Sequence, residues 1–330
     1  MRIRFLLVFV ATATLLSVGL LAPDTGGAYE TDQYTDRRLH IEDSTDILNR
    51  EMNQALAEIA ARWNSGEKPQ RFATALYRHI GGRHWVDKLE RWAIRSQEVD
   101  KIEQPKRESI YGGIPIWSTR VVFVVGLGQT LRLNDTLVGT DKIGHFISQG
   151  WKYYRRHRRG LPEEKVIKLG PRNEAGIFGA AWTGIYSNAD LVANYEGYQF
   201  FRSLFEDNIV PGKSAIIRWQ GKQAVIQRPF DWRDHVNEYW DEALNPNYYT
   251  GRLSDYVYEN LEGLCEDFEQ SPSIFVAHAD ADLAERYSRL GMRPATDYRL
   301  DRVCQNSRVT HAADSGREGT ETSPPSPRPE

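Results

Sequence analysis

Cysteine is nearly missing from this chain: Cys265 and Cys304 are the two present among 330 residues. Two isolated thiols without a histidine pattern around them argue against a structural zinc site. Neither sign of charge is in large excess, and the net charge of -3 argues against bulk attraction to nucleic acid. Long apolar runs are also missing, apart from Phe5 to Leu21, so no other stretch is expected to cross a membrane. No internal repeat is found. Several catalytic signatures are absent as well: no Gly-x-Ser-x-Gly elbow, no His-Glu-x-x-His, no P-loop and no Cys-x-x-Cys. Gly126-Leu127-Gly128 resembles the start of a dinucleotide turn, but its third glycine and a surrounding βαβ pattern are missing.

What is present begins with the apolar run itself. Arg2 and Arg4 precede it and Gly26-Gly27-Ala28 follow it, the pattern of a secretion signal cut after Ala28, with Ala22 as an alternative point. The competing reading is an uncleaved anchor, for which about 17 apolar residues is at the short limit. No cysteine follows the run, so a lipid-anchored N-terminus is not supported. The expected location is the periplasm, or outside the cell, of a bacterial envelope. In such a setting two cysteines predict one disulfide, closing a loop of about 40 residues.

Forty per cent hydrophobic and 26% charged residues put the rest in the range of a packed globular protein. Nine Trp and sixteen Tyr are expected to fill its core. Residues 29–43 are polar and read as an extended lead-in, residues 44–305 as one mainly helical domain with a small β-hairpin, and residues 306–330 as a disordered tail. Ser44-Thr45-Asp46 opens a helix with Leu48, Met52, Ala55, Leu56 and Ile59 at helical spacing. Pro69 opens a second that Gly81-Gly82 stops, and Trp85, Leu89 and Trp92 mark a third. His79 and His84 flank the double glycine as ordinary helix-end residues. Val121 to Val125 reads as a buried strand or short core helix, and Gly170-Pro171 as a helix break. Ala215 to Trp219 and Gln223 to Gln227 form the hairpin. Asp231 and Asp234 open a helix bearing Trp232, Val236, Tyr239 and Trp240; Ser254 caps another, and Asp280 to Leu290 forms a last one ended by Gly291.

Two helix starts carry the candidate chemistry. At roughly 100° per residue, Asp141 and His145 share the face opposite Ile143, Ile147 and Tyr154. About fifty residues on, Asp190 and Asn194 lie against the apolar stripe of Leu191, Tyr195 and Tyr198, with Gly197 allowing a close approach. If the two starts meet, Asp141, His145 and Asp190, supported by Asn194 or Glu196, supply an N/O donor set for a divalent metal ion. The metal-free alternative makes His145 a general base oriented by a carboxylate. The bland reading leaves Asp141 as a favourable charge at a helix N-terminus, Asp190 in a capping box with Ser187 and Asn194 in a core hydrogen bond. Arg155, Arg156, Arg158 and Arg159 suit a helix C-terminus, and the rival use is contact with an anionic membrane surface.

Asp141-Lys142-Ile143-Gly144-His145-Phe146 resembles the Asp-Lys-x-x-His-Phe signature of VanZ-like proteins and of some small bacterial envelope lipoproteins. Together with Ser187-Asn188-Ala189-Asp190 and the run to Gly197, it is similar to a family of exported bacterial proteins of unassigned activity. The resemblance covers residues 110–210. VanZ-like proteins span the membrane several times and this sequence lacks such helices, so the resemblance implies an envelope setting and no particular reaction. The function expected is an envelope hydrolase acting on a lipid, glycan or phosphoester. In it Asp141, His145 and Asp190 are ligands or acid–base groups, Asn194 positions and Glu196 is a further ligand. The alternative is a non-catalytic envelope protein in which the same groups form a buried structural network.

Overall fold

In a computed structural model, the described residues are 30–318 without 83–85, 116–117, 119–125, 177–179 and 279; the side chains of 182 and 310–318 are also left out. The secretion signal, His84, Trp85 and the Val121 to Val125 run lie outside the described residues. The protein is mainly α-helical with small antiparallel sheets. Among the described residues, no helix is long and apolar enough to cross a membrane.

Helical periodicity is realised where it is strongest. Thr45–Arg62 buries Leu48, Met52, Ala55 and Leu56, and Pro69–Ile80 starts at its proline and buries Phe72, Leu76 and Ile80. The Asp87/Glu90 capping box opens Lys88–Arg95. The hairpin forms from Ile217–Gln220 and Gln223–Ile226 in the register Ile217↔Ile226. Its Trp219 stacks on Phe205, with ring centroids 5.9 Å apart. The expected aromatic core is centred on Phe146, whose ring lies 4.7 Å from Trp232, 5.3 Å from Phe200 and 5.8 Å from Trp240. A second cluster joins Tyr34, Tyr111, Tyr249 and Leu253 to the C-terminal helix, where Cys265 and Cys304 are disulfide-bonded with Cα atoms 5.3 Å apart.

Several expectations change. The lead-in is not extended: Asp32 caps a helical turn at Gln33–Asp36, and residues 31–36 are buried. Gly170-Pro171 does not end a helix but sits in the first turn of Leu169–Ala175, where proline needs no donor. The segment 231–240 is not one helix. The Asp231 side chain accepts from Arg233 N and the Asn237 side chain from Tyr239 N, so two separate 3-10 turns form instead. Ser254 lies inside Arg252–Glu262, which starts after Gly251. The last helix, Leu300–Glu318, continues into the segment whose composition predicts disorder.

Two unexpected pairings position the site. Thr130–Leu133 and Thr136–Gly139 form a hairpin around Asn134 and Asp135, both at positive φ (50° and 57°). Its last residue, Gly139, is the N-cap of the helix that carries His145. Ile185–Tyr186 pairs with Tyr248–Tyr249 and ends one residue before Ser187, the N-cap of the helix that carries Asp190. Each site helix is thus launched from a strand end.

Candidate functional site

The two helix starts meet. The helix carrying His145 runs Thr140–Gly144, loosens to a π turn at His145–Gln149 and resumes at Gly150–His157. It crosses Asn188–Ser203 almost backbone to backbone. A Cβ on Gly197 would fall 1.9 Å from the Phe146 carbonyl oxygen, and one on Gly150 would fall 2.4 Å from the Gly197 carbonyl carbon. One turn nearer the helix starts, Asp141 and His145 face Asp190 and Asn194. His145 Nε2 lies 3.2 Å from Asp190 Oδ2, and Nδ1 lies 3.0 Å from Asn194 Oδ1. His145 is the most open member, its side chain 22% exposed against 12% for Asp190. Gly144 leaves room for the Glu90 carboxylate, which a Cβ there would meet at 2.3 Å.

Lys142 turns inward. Its side chain is 1% exposed; Nζ donates to Asp141 Oδ2 at 2.7 Å and forms ion pairs with Asp190 Oδ1 at 2.8 Å and Glu242 Oε1 at 2.7 Å. Asp141 thereby spends one oxygen on the ammonium, while its buried Oδ1 has no hydrogen-bond partner. Glu242 is further contacted by Ser187 Oγ at 3.3 Å and Thr31 Oγ1 at 3.5 Å. Glu30 and Glu174 add two more carboxylates close enough to be felt by Asp190 and Lys142.

The electrostatics follow from burying so many acids around one base. Burial pushes the Glu30, Glu174, Asp141 and Glu242 carboxyls up; neighbouring acids add to this and Lys142 partly offsets it. Burial alone would also raise Asp190, but His145 and Lys142 outweigh it and leave its carboxyl below the usual range. Lys142 is held charged: burial opposes the ammonium, but the carboxylates around it prevail. Glu90 is pushed up to about 9, first by burial and then by the charge of Asp141. Asp87, which accepts from Ser148 Oγ at 2.9 Å, is raised to about 6, mainly by burial.

Of the residues expected at the site, Asp141, His145, Asp190 and Asn194 come together, whereas Glu196 does not. Six residues beyond Asp190 on the same helix, Glu196 projects to another side. There its carboxylate accepts from Tyr287 Oη at 2.8 Å and lies 3.1 Å from His235 Nδ1, committed to a buried pair. The helix is buried nearly all round rather than along one stripe, so wheel position alone did not separate site from core. Ser187 does cap the helix, through Asp190 N at 3.1 Å, while the Asp190 carboxylate faces His145 and Lys142. Arg155, Arg156, Arg158 and Arg159 are exposed at the far end of the His145 helix, and Arg155 lies over the Trp151 ring. A cavity of about 380 Å³ lined by Glu238, His278, Asp280 and Arg299 contains none of the site residues. Sequence reasoning missed Lys142, Glu242, Glu30 and Glu174. Lys142 stood inside the motif, but the other three are isolated carboxylates with no local signal.

One oxygen each from Asp141 and Asp190 and one His145 nitrogen lie within 4.8 Å of one another. The ring's orientation fits a cation. Asn194 Oδ1 can only accept, so His145 carries its hydrogen on Nδ1 and turns Nε2 toward a carboxylate. That places Nε2 at the position of a ligand to a cation shared with Asp190. A histidine ligand held through its other nitrogen by a carbonyl is the usual support for a metal. In comparisons with family models, curated proteins and solved structures, the chain finds no match.

Proposed function

We propose that this protein is a divalent-cation-dependent hydrolase of the bacterial envelope, acting on an ester or phosphoester bond in a lipid or glycan. Asp141, His145 and Asp190 hold the ion, and Asn194 fixes the histidine ring. The observation that carries this reading is the His145 ring itself, anchored on Asn194 through one nitrogen and facing Asp190 through the other, with an Asp141 carboxylate oxygen within 4.8 Å of a ring nitrogen and of an Asp190 oxygen. One nitrogen and two carboxylate oxygens suit a first-row divalent ion and leave positions for water and substrate. Asp141, His145 and Asp190 would hold the ion, which when bound would supply a Lewis acid and an acidified water for ester hydrolysis. Export is supported by the N-terminal sequence and agrees with the disulfide.

The test is cation binding and hydrolysis by the purified protein. With Mn²⁺ or Zn²⁺, wild type should bind with Kd in the micromolar range or tighter and cleave p-nitrophenyl esters or phosphoesters. His145→Ala and Asp190→Asn should each lose at least tenfold in affinity while keeping a cooperative melt. Equal cation binding by all three proteins would end the proposal. The second reading, a non-catalytic structural network, is favoured by how little of Lys142 and Glu242 is exposed; it expects His145→Ala to lower Tm and change no binding.

A further inference from the structure

A lysine ammonium is a compact positive charge, and Lys142 Nζ lies 2.7–2.8 Å from three carboxylates supplied by three separate segments. Two of these, Asp141 and Asp190, each keep a second oxygen off the ammonium: Asp141 Oδ1 is buried without a hydrogen-bond partner, and Asp190 Oδ2 lies 3.2 Å from the His145 ring. Asp190 therefore bridges, with one oxygen on the ammonium and the other at the His145 ring, and Asp141 adds a carboxylate to both positions. This is the arrangement by which shared carboxylates hold two neighbouring cations, with one cation supplied by the protein's own chain. An ammonium is a compact point charge and can take such a place without bound water. Without it, Asp141, Asp190 and Glu242 would share one buried volume with no positive charge between them, a cost that charging an ion or taking up protons must relieve.

We propose that Lys142 is a built-in cation filling the second of two adjacent cation positions, so that the centre takes one divalent ion and not two. It acts through Asp141 and Asp190, each of which it holds by one oxygen, and is a positioning residue. For the ion at His145 this rests on the hydrolase reading; for the place of the ammonium it rests on the three contacts alone.

The test uses Lys142→Met, in which the stem is kept out to a terminal methyl and the charged nitrogen is lost. Wild type and variant are equilibrated with Mn²⁺, desalted, and assayed for bound metal per chain and for Tm. The expected result is one ion in wild type and two in the variant, with the variant's Tm raised by Mn²⁺ more than that of wild type. One ion in each, in a folded variant, would overturn the proposal. If wild type binds none and the variant binds one, the hydrolase reading fails while the role of Lys142 stands; if neither binds any, both fail. Should the variant be unfolded without metal, refolding in millimolar Mn²⁺ supports the proposal and failure to refold refutes it.

Discussion

Glu90 is a carboxyl kept neutral by its surroundings. It is sealed against Gly144, and the groups that act on it are Asp141, Asp87 and Arg91. Its pKa is raised from 4.5 to about 9, so the folded protein binds this proton more tightly than the unfolded chain. The stability it contributes is complete below its ordinary value of 4.5 and is lost as the pH rises through about 9. Across that window Glu90 should steepen the fall in stability by up to about 1.4 kcal/mol per pH unit, and Glu90→Gln should remove that share of the slope. Melting curves for both proteins at a series of pH values check it; parallel curves would mean that Glu90 is charged at neutral pH. At this scale the sequence was legible where two polar groups stood four apart at a helix start, as with Asp141 and His145 or Asp190 and Asn194. It was not legible for Lys142, because a lysine is ordinarily a surface residue and only its three partners, distant in sequence, reveal that it is buried.

Between elements, the crossing of the two site helices decides whether there is a site at all. On helix propensity alone, Gly197→Ala should stabilise by about 1 kcal/mol. The Phe146 carbonyl oxygen stands where the new methyl would go, so the helices must part. The expected outcome is a net loss of about 1–3 kcal/mol, with at least tenfold weaker Mn²⁺ binding as His145 moves from Asp190. Thermal denaturation and metal titration check the two effects, and a more stable Gly197→Ala protein would contradict the crossing. The long amphipathic helices and the Ile217–Ile226 hairpin were readable because period and turn agree along each of them. The hairpin at Thr130–Gly139 was missed although Asn134-Asp135 is a turn pair suited to positive φ. The segment 231–240 misled because its apolar spacing is helical while its Asp and Asn side chains cap shorter turns.

For the molecule as a whole, the disulfide ties Cys265 to Cys304 across 39 positions at the edge of the second hydrophobic cluster. In the chain-entropy account such a link stabilises by about 4 kcal/mol. Reduction, or Cys265→Ser with Cys304→Ser, should lower Tm by several degrees while leaving cation binding near its original strength, because Ile143, Phe146, Leu191 and Ala193, which flank Asp141, His145 and Asp190 along the chain, pack in the other cluster. Equal losses of Tm and binding on reduction would show that the two clusters melt as one. The helical architecture could be read from local patterns, but the full centre could not, because Glu30, Lys142, Glu174, Asp190 and Glu242 are joined only by tertiary packing.

That dispersal along the chain has a consequence for fragments of it. Acids from such distant stretches meet around Lys142 only where the strand ends at Gly139 and Tyr186 have launched the two site helices. A fragment that lacks any one of the segments around Glu30, Lys142, Asp190 or Glu242 therefore holds an incomplete set of these charges. The cluster of charges around Lys142 exists only where the whole chain from residue 30 to residue 242 is folded together.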